Sequence, residues 1–238
     1  MFDNKKFLFI SPPFGNYIHL PNTIPIRGSF TLHERPGKWK QILDTVRFIP
    51  YLNGWVNKIG LRNPGIDYAI NTYKKKQIIS IAILKESDIN TIENKIPKDM
   101  DIELNVSCPN TDKKLISHGL SVFLNPNRKW CILKLSPIVQ NDEIDYYYKQ
   151  GFRQFHCSNT LPIKEGGLSG PLLKVFNKDI IKYIRATYPS STIIAGGGIR
   201  TFDDIKYYNK LGANYYSISS LCFNPISFIS LYIDIIKN

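Results

Sequence analysis

The stretch Asp101-Ile102-Glu103-Leu104-Asn105-Val106-Ser107-Cys108-Pro109-Asn110-Thr111 holds the residues best suited to chemistry. Its first half alternates, with Ile102, Leu104 and Val106 on one face as in a buried strand, and it breaks into polar and turn-forming residues at Ser107. Such a strand delivers a thiol and two amides to its C-terminal end. A thiolate there can serve as a base, and Asn105 and Asn110 can hold a polar ligand. An isolated cysteine is more often a small packing residue. Cys108, however, stands between two asparagines in a turn closed by Pro109, which packing does not require, and function is the stronger reading.

Other stretches add to it. Cys131-Ile132-Leu133-Lys134-Leu135-Ser136 sets a lysine inside an apolar strand, where an unpaired ammonium is costly, so Lys134 either meets an anion or electron-rich group or snorkels to the surface. Cys157-Ser158-Asn159-Thr160 ends another strand and is followed by Gly166-Gly167-Leu168-Ser169-Gly170. Gly196-Gly197-Gly198-Ile199 and Ser219-Ser220 end two more, and glycine-freed amides with serine hydroxyls make a phosphate cradle. Asn57-Lys58-Ile59-Gly60-Leu61-Arg62-Asn63-Pro64-Gly65 reads as a polar loop.

To place these ends together, the chain needs a parallel sheet. Eight strand-like runs recur: Phe7–Ser11, Pro25–Leu32, Ile78–Leu84, Asp101–Ser107, Cys131–Ser136, Gln154–Asn159, Thr192–Ala195 and Tyr215–Ser219. Helical patterns lie between several of them, over Pro171 to Tyr188, after the cap Thr201 as far as Gly212, and from Pro225 to Ile236. The expected fold is an α/β (β/α)8 TIM barrel, compact, with a reduced first crossover, forming one domain over 1–238. An open doubly wound sheet is the alternative. Tyr51 to Lys76, with Gly54, Gly60, Pro64 and Gly65, reads as a loop insertion.

The totals agree with a globular protein of 238 residues, 43% hydrophobic and 21% charged. Four separated cysteines without a C-x-x-C pair argue against a disulfide framework or a zinc knuckle, so no metal is expected. No signal peptide or membrane span is read, and a cytoplasmic location is expected. The formal charge of +12 is spread along a chain rich in Ile, Asn, Tyr and Lys, which points to A/T-rich codons before polyanion binding, and no nucleic-acid partner is expected.

The runs ELNVSCPNT (103–111), NKIGLRNPG (57–65), KLSP (134–137), SNT (158–160), GGLSG (166–170) and AGGGI (195–199) are collinear with those of dihydroorotate dehydrogenases, and the chain resembles that family over nearly its whole length. The resemblance implies an FMN-containing barrel that oxidises (S)-dihydroorotate to orotate in pyrimidine synthesis. Cys108 matches the catalytic base of the soluble class; the membrane-associated, quinone-using class has serine there. Oxidation takes a proton from C5 and a hydride from C6, so base and flavin must lie on opposite faces of the substrate ring.

By the same resemblance Asn57, Gly60, Leu61, Asn105, Asn110, Asn159 and Thr160 bind substrate. Phe14, Gly15, Ser29, Asn105, Lys134, Ser158, Gly170, Gly197, Gly198, Ser219 and Ser220 bind FMN, and Pro109 to about Ile116 forms a lid. The expected partners are dihydroorotate or a relative, a second copy of the chain and an electron-transfer partner, with no membrane. The sequence departs from the family pattern at Gly28-Ser29-Phe30-Thr31, where the family has a lysine at the first position. Arg27, one residue early, replaces that lysine only if the strand bulges. Two other readings are a tRNA dihydrouridine synthase-like flavin reductase, which shares the Asn-x-x-Cys-Pro turn, and a catalytically silent flavin-binding homologue.

Overall fold

The structure is a computed structural model and describes residues 8–106 and 119–237. In chain order it begins with β1 (Leu8–Ile10), β2 (Thr23–Phe30), α1 (Lys38–Thr45), β3 (Arg47–Ile49), β4 (Gly54–Asn57) and α2 (Ile66–Asn71). Then come β5 (Ile78–Ile81), α3 (Asp88–Lys95), β6 (Ile102–Asn105), β7 (Cys131–Lys134), α4 (Asn141–Lys149) and β8 (Gln154–Cys157). The remainder is β9 (Leu161–Ile163), β10 (Gly166–Ser169), α5 (Leu173–Thr187), β11 (Thr192–Gly196), α6 (Phe202–Lys210), β12 (Tyr215–Ile218) and α7 (Pro225–Lys237).

Strands β1-β12-β11-β8-β7-β6-β5-β2 close a barrel in that order, with every neighbouring pair parallel. These are the eight runs expected from apolar patterning, and the closed barrel sets aside the open sheet. Side-chain alternation sorts each strand into two environments. Outward residues such as Ile10, Ile79, Leu104, Leu133 and Ile193 join helix residues in the larger core. Inward residues Phe9, Ile24, Ile26, Ile78, Ile132 and Ile194 pack with Trp130 and Tyr215 inside the barrel. Phe9, Trp130 and Tyr215 meet edge to face, with ring centroids 5.3 to 5.7 Å apart, and plug its N-terminal end.

One turn further toward the strand C-termini the inward positions are polar: Ser11, Ser80, Glu103, Lys134, His156 and Ser217. The barrel therefore has an apolar floor and a polar ceiling.

The helices follow their local signals. Thr201 caps α6, accepting from Asp204 N while the Asp204 carboxylate accepts from Thr201 N, and Asp203 and Lys210 sit at the ends that the helix dipole favours. The first crossover holds a single short 3-10 turn, Phe14–Asn16, in place of a standard helix. Gly15 lies there against backbone, since a Cβ would fall 2.1 Å from Ile26 O and 2.3 Å from Ile10 O. Gly15→Ala is expected to destabilise the fold by at least about 1–3 kcal/mol, read as a lower urea midpoint.

The loop expectation for Tyr51 to Lys76 is corrected, since it contains β4 and α2, and Gly166–Ser169, given no element in the sequence, is strand β10. They build an antiparallel sheet ordered β3-β4-β10-β9, with its own small core of Ile49, Val56, Leu161, Leu168 and Leu173. Strands of three or four residues that bury one or two side chains each carry little apolar periodicity, which is why none of the four is among the eight strand-like runs.

Candidate functional site

Above the polar ceiling lies a cavity of about 270 Å³ between the strand C-termini, α1 and the β3-β4-β10-β9 sheet. Its walls bring together Phe14, Asn57, Lys134, Ser158, Asn159, Thr160, Gly197, Gly198, Ser219 and Ser220 from the residues singled out in the sequence. Ser29 and Asn105 lie beside it: Asn159 Nδ2 donates to Asn105 Oδ1, and Asn105 Nδ2 to Ser29 Oγ, each at 3.2 Å. Gly15, Gly60, Leu61 and Gly170 are not part of the wall. Gly60 and Leu61 form a positive-φ turn after β4, and Gly170 packs against Asn53 and Gly54. Cys108, Asn110 and the lid segment lie outside the described residues.

The glycine run is held from behind by side chains that carry no sequence signal. Asn177, fully buried on α5, donates to Gly196 O at 2.6 Å, and Tyr208 OH donates to Gly197 O at 2.7 Å. Ser158 Oγ donates to Asn177 Oδ1 at 2.7 Å, tying the end of β8 to the same support. Ser219 Oγ is engaged with Pro12 O at 2.8 Å, leaving its amide as the donor toward a ligand. Trp55 stacks on Phe223 at 4.2 Å and forms an apolar flank with Phe14.

Lys134 meets an anion inside the barrel, as one of its two sequence readings expected, and that anion is Glu103, which the sequence did not single out. Its Nζ lies 3.8 Å from Glu103 Oε1, within ion-pair range but longer than a hydrogen bond, so the ammonium protons stay available to a ligand. Glu103 is fully buried, with Ser80 Oγ at 2.8 Å and His156 Nδ1 at 2.7 Å. Burial alone would raise its pKa, but Lys134, His156 and Ser80 outweigh that and hold it at about 2. Burial pushes His156 below the ordinary imidazole value, against the raising effect of the Glu103 carboxylate on its Nδ1. One pattern could have flagged Glu103 and His156: each interrupts an apolar strand at an inward position, as Lys134 does.

At the second strand, the ladder between β2 and β5 shifts register between Arg27 and Phe30. Arg27 nevertheless points away from the cavity, bonding Thr72 O and Thr72 Oγ1 at 2.8 Å and Gln77 Oε1 at 3.3 Å. It does not stand in for the family lysine. Gly28 has φ +121°, and a Cβ there would lie 2.5 Å from Ser80 O, so the backbone at this position has no room for a side chain.

Three cysteines lie among the described residues, and none has base chemistry. Burial pushes Cys131 up to about 11 and Cys222 up to about 12, and it raises Cys157 further. The donor set suits FMN. No Asp or Glu among the described residues lines the cavity, Lys38 and Lys134 supply positive charge, and the amides of Gly197, Gly198, Ser219 and Ser220 at adjoining strand ends suit a phosphate. Bound FMN would supply the hydride acceptor. Among the described residues no helix is long and apolar enough to cross a membrane.

Comparison with known proteins gives the same answer. Catalytic subunits of dihydroorotate dehydrogenase B (NAD(+)) are similar: that of Thermotoga petrophila is 25% identical over 246 residues, covering 88% of this chain and 87% of its own. That of Petrotoga mobilis is 30% identical over 217 residues, covering 77% and 70%. Eimeria tenella DHODH in complex with ferulenol shares the fold, with a TM-score of 0.67 and 18% identity, over 88% of this chain and 72% of that one. The sequence model described as dihydroorotate dehydrogenase matches residues 22–234. With nearly the whole barrel inside that match, the chain belongs to the dihydroorotate dehydrogenase family, FMN-dependent oxidoreductases that convert dihydroorotate to orotate.

Proposed function

We propose that Cys108 takes the C5 proton of dihydroorotate while the C6 hydride leaves toward FMN, in one FMN-binding unit formed by the barrel and its small sheet. The observation that carries this reading is the shared cavity. Asn57, Asn159 and Thr160 line the same walls as Lys134 and the Gly197-Gly198 run, and β6 ends at that rim two residues before Ser107. Asn57, Asn105, Asn110, Asn159 and Thr160 hold the carboxylate and imide edge of the substrate, with Gly60 and Leu61 in the adjoining turn. Phe14 and Ser29 flank the flavin ring, with Gly15 letting the Phe14 turn pack on the Ile10 and Ile26 backbone behind it, Ser158 and Gly170 support the cofactor side, and Gly197, Gly198, Ser219 and Ser220 take the phosphate. Lys134 favours negative charge building on the flavin as it is reduced.

Electrons then pass to a separate partner, in keeping with the relatives' designation as catalytic subunits of NAD(+)-linked enzymes. The test is direct. The purified protein is expected to be yellow, to release FMN on denaturation, and to lose its visible flavin absorbance on anaerobic addition of dihydroorotate. Bound FMN that does not bleach would establish a silent flavoprotein instead, and a colourless protein that takes up no FMN would end the flavin reading altogether.

A further inference from the structure

Glu103 is left unused by the chemistry above, yet it is fully buried and engaged by Ser80, His156 and Lys134. A buried carboxylate is costly to keep and can be replaced together with its partner by apolar residues at little loss, so its bonds are worth following outward. A carboxylate only accepts. Ser80 therefore donates to Glu103 Oε1 at 2.8 Å, and its oxygen accepts from Ser29 Oγ at 2.9 Å. Ser29 in turn accepts from Asn105 Nδ2, and Asn105 Oδ1 accepts from Asn159 Nδ2, each at 3.2 Å. Every donor in this chain points toward Glu103, which sets which end of the two amides faces which way.

A second arm runs through His156. Because the carboxylate only accepts, Nδ1 carries the proton of the 2.7 Å bond to Glu103 Oε2, and in the neutral ring Nε2 is then the acceptor. His156 lines the cavity beside Gly196, where a Cβ would fall 2.6 Å from Nε2. The third arm is the 3.8 Å pairing with Lys134. It sets the Lys134 ammonium against the Glu103 carboxylate in the polar layer beneath the cavity.

We propose that Glu103 is a positioning residue: it directs the Ser80-Ser29-Asn105-Asn159 chain, fixes the Nδ1–H form of His156, and offsets Lys134 so that the layer facing the flavin is close to neutral. The inference rests on the flavoenzyme reading and deepens it. A near-neutral layer stabilises reduced, more negative FMN less than a bare lysine would, so Glu103 holds the flavin potential down.

Three measurements test this. In flavin-free protein labelled with ¹⁵N-histidine, His156, assigned by its loss in His156→Asn, is expected in the neutral Nδ1–H form. An Nε2–H form or an imidazolium overturns the positioning role. In FMN-loaded protein, Glu103→Gln is expected to raise the preference for reduced over oxidised FMN about tenfold, ~30 mV in midpoint potential. An unchanged potential overturns the charge-offset role. Ser80→Ala cuts the chain and keeps the charge; it is expected to raise KM for dihydroorotate about tenfold at an unchanged potential, and an unchanged KM overturns the directing role. A protein that takes up no FMN overturns the flavoenzyme reading and the redox role with it, while the flavin-free spectrum still decides whether Glu103 positions His156.

Discussion

Cys108→Ala is expected to leave a yellow protein whose flavin is bleached by dihydroorotate about 10²–10⁴-fold more slowly, the usual worth of a positioned base. Removing a proton from carbon without a base leaves only water, and a loss of 10³ corresponds to about 4 kcal/mol of transition-state stabilisation. No other described thiol can take over, because Cys131, Cys157 and Cys222 are buried and pushed toward the neutral form. In the unsubstituted protein the bleaching rate should also climb with pH as the thiol ionises, from a reference pKa of about 8.5, and that limb should vanish in Cys108→Ala. Anaerobic stopped-flow mixing checks both. Identical traces for the two proteins would remove Cys108 from the mechanism.

Glu103→Leu is expected to cost about 3–5 kcal/mol of stability at neutral pH, because it strands the Lys134 ammonium and leaves Ser80 and His156 without their acceptor. Acid weakens the fold through the same buried groups. Glu103 sits at about 2 in the folded protein, below its unfolded reference of about 4.3, so its contribution is complete above that reference and fades as pH falls toward 2. His156 is held below its ordinary value by burial, so the unfolded chain binds a proton first as pH drops below about 6.5. Both groups therefore weaken the fold on acidification. Urea midpoints of the unsubstituted protein should fall from pH 7 downward, and those of Glu103→Leu should start lower and lose less between pH 4.5 and 3. Adding Lys134→Met to Glu103→Leu should recover much of the loss, since a missing pair is tolerated better than half of one. Parallel pH profiles for Glu103→Leu and the unsubstituted protein would show that the carboxylate contributes nothing to acid stability.

By itself the sequence determined the barrel and its chemical end. Period-two apolar runs identify strands by the same alternation that later packs them, and eight of them separated by helical lengths leave few ways to bury both faces. The polar breaks at Ser107, Ser158, Gly196 and Ser219 mark strand C-termini, so the cavity wall through Ser158, Asn159, Gly197, Gly198 and Ser219 was legible as well. Tertiary structure alone decided three things. The sheet of β3, β4, β10 and β9 exists because two distant glycine-rich hairpins pair, as in Gly167 opposite Asn57, and no local pattern encodes a pairing so far apart in the chain. Arg27 stays outward on Thr72 and Gln77, where strand alternation puts it; the residue order left open a bulge that would turn it inward, and the register shift between Arg27 and Phe30 does not do so. Glu103, His156 and Lys134, scattered over three strands, become one polar layer only when barrel closure places three inward positions at the same height, where low dielectric makes each depend on the others.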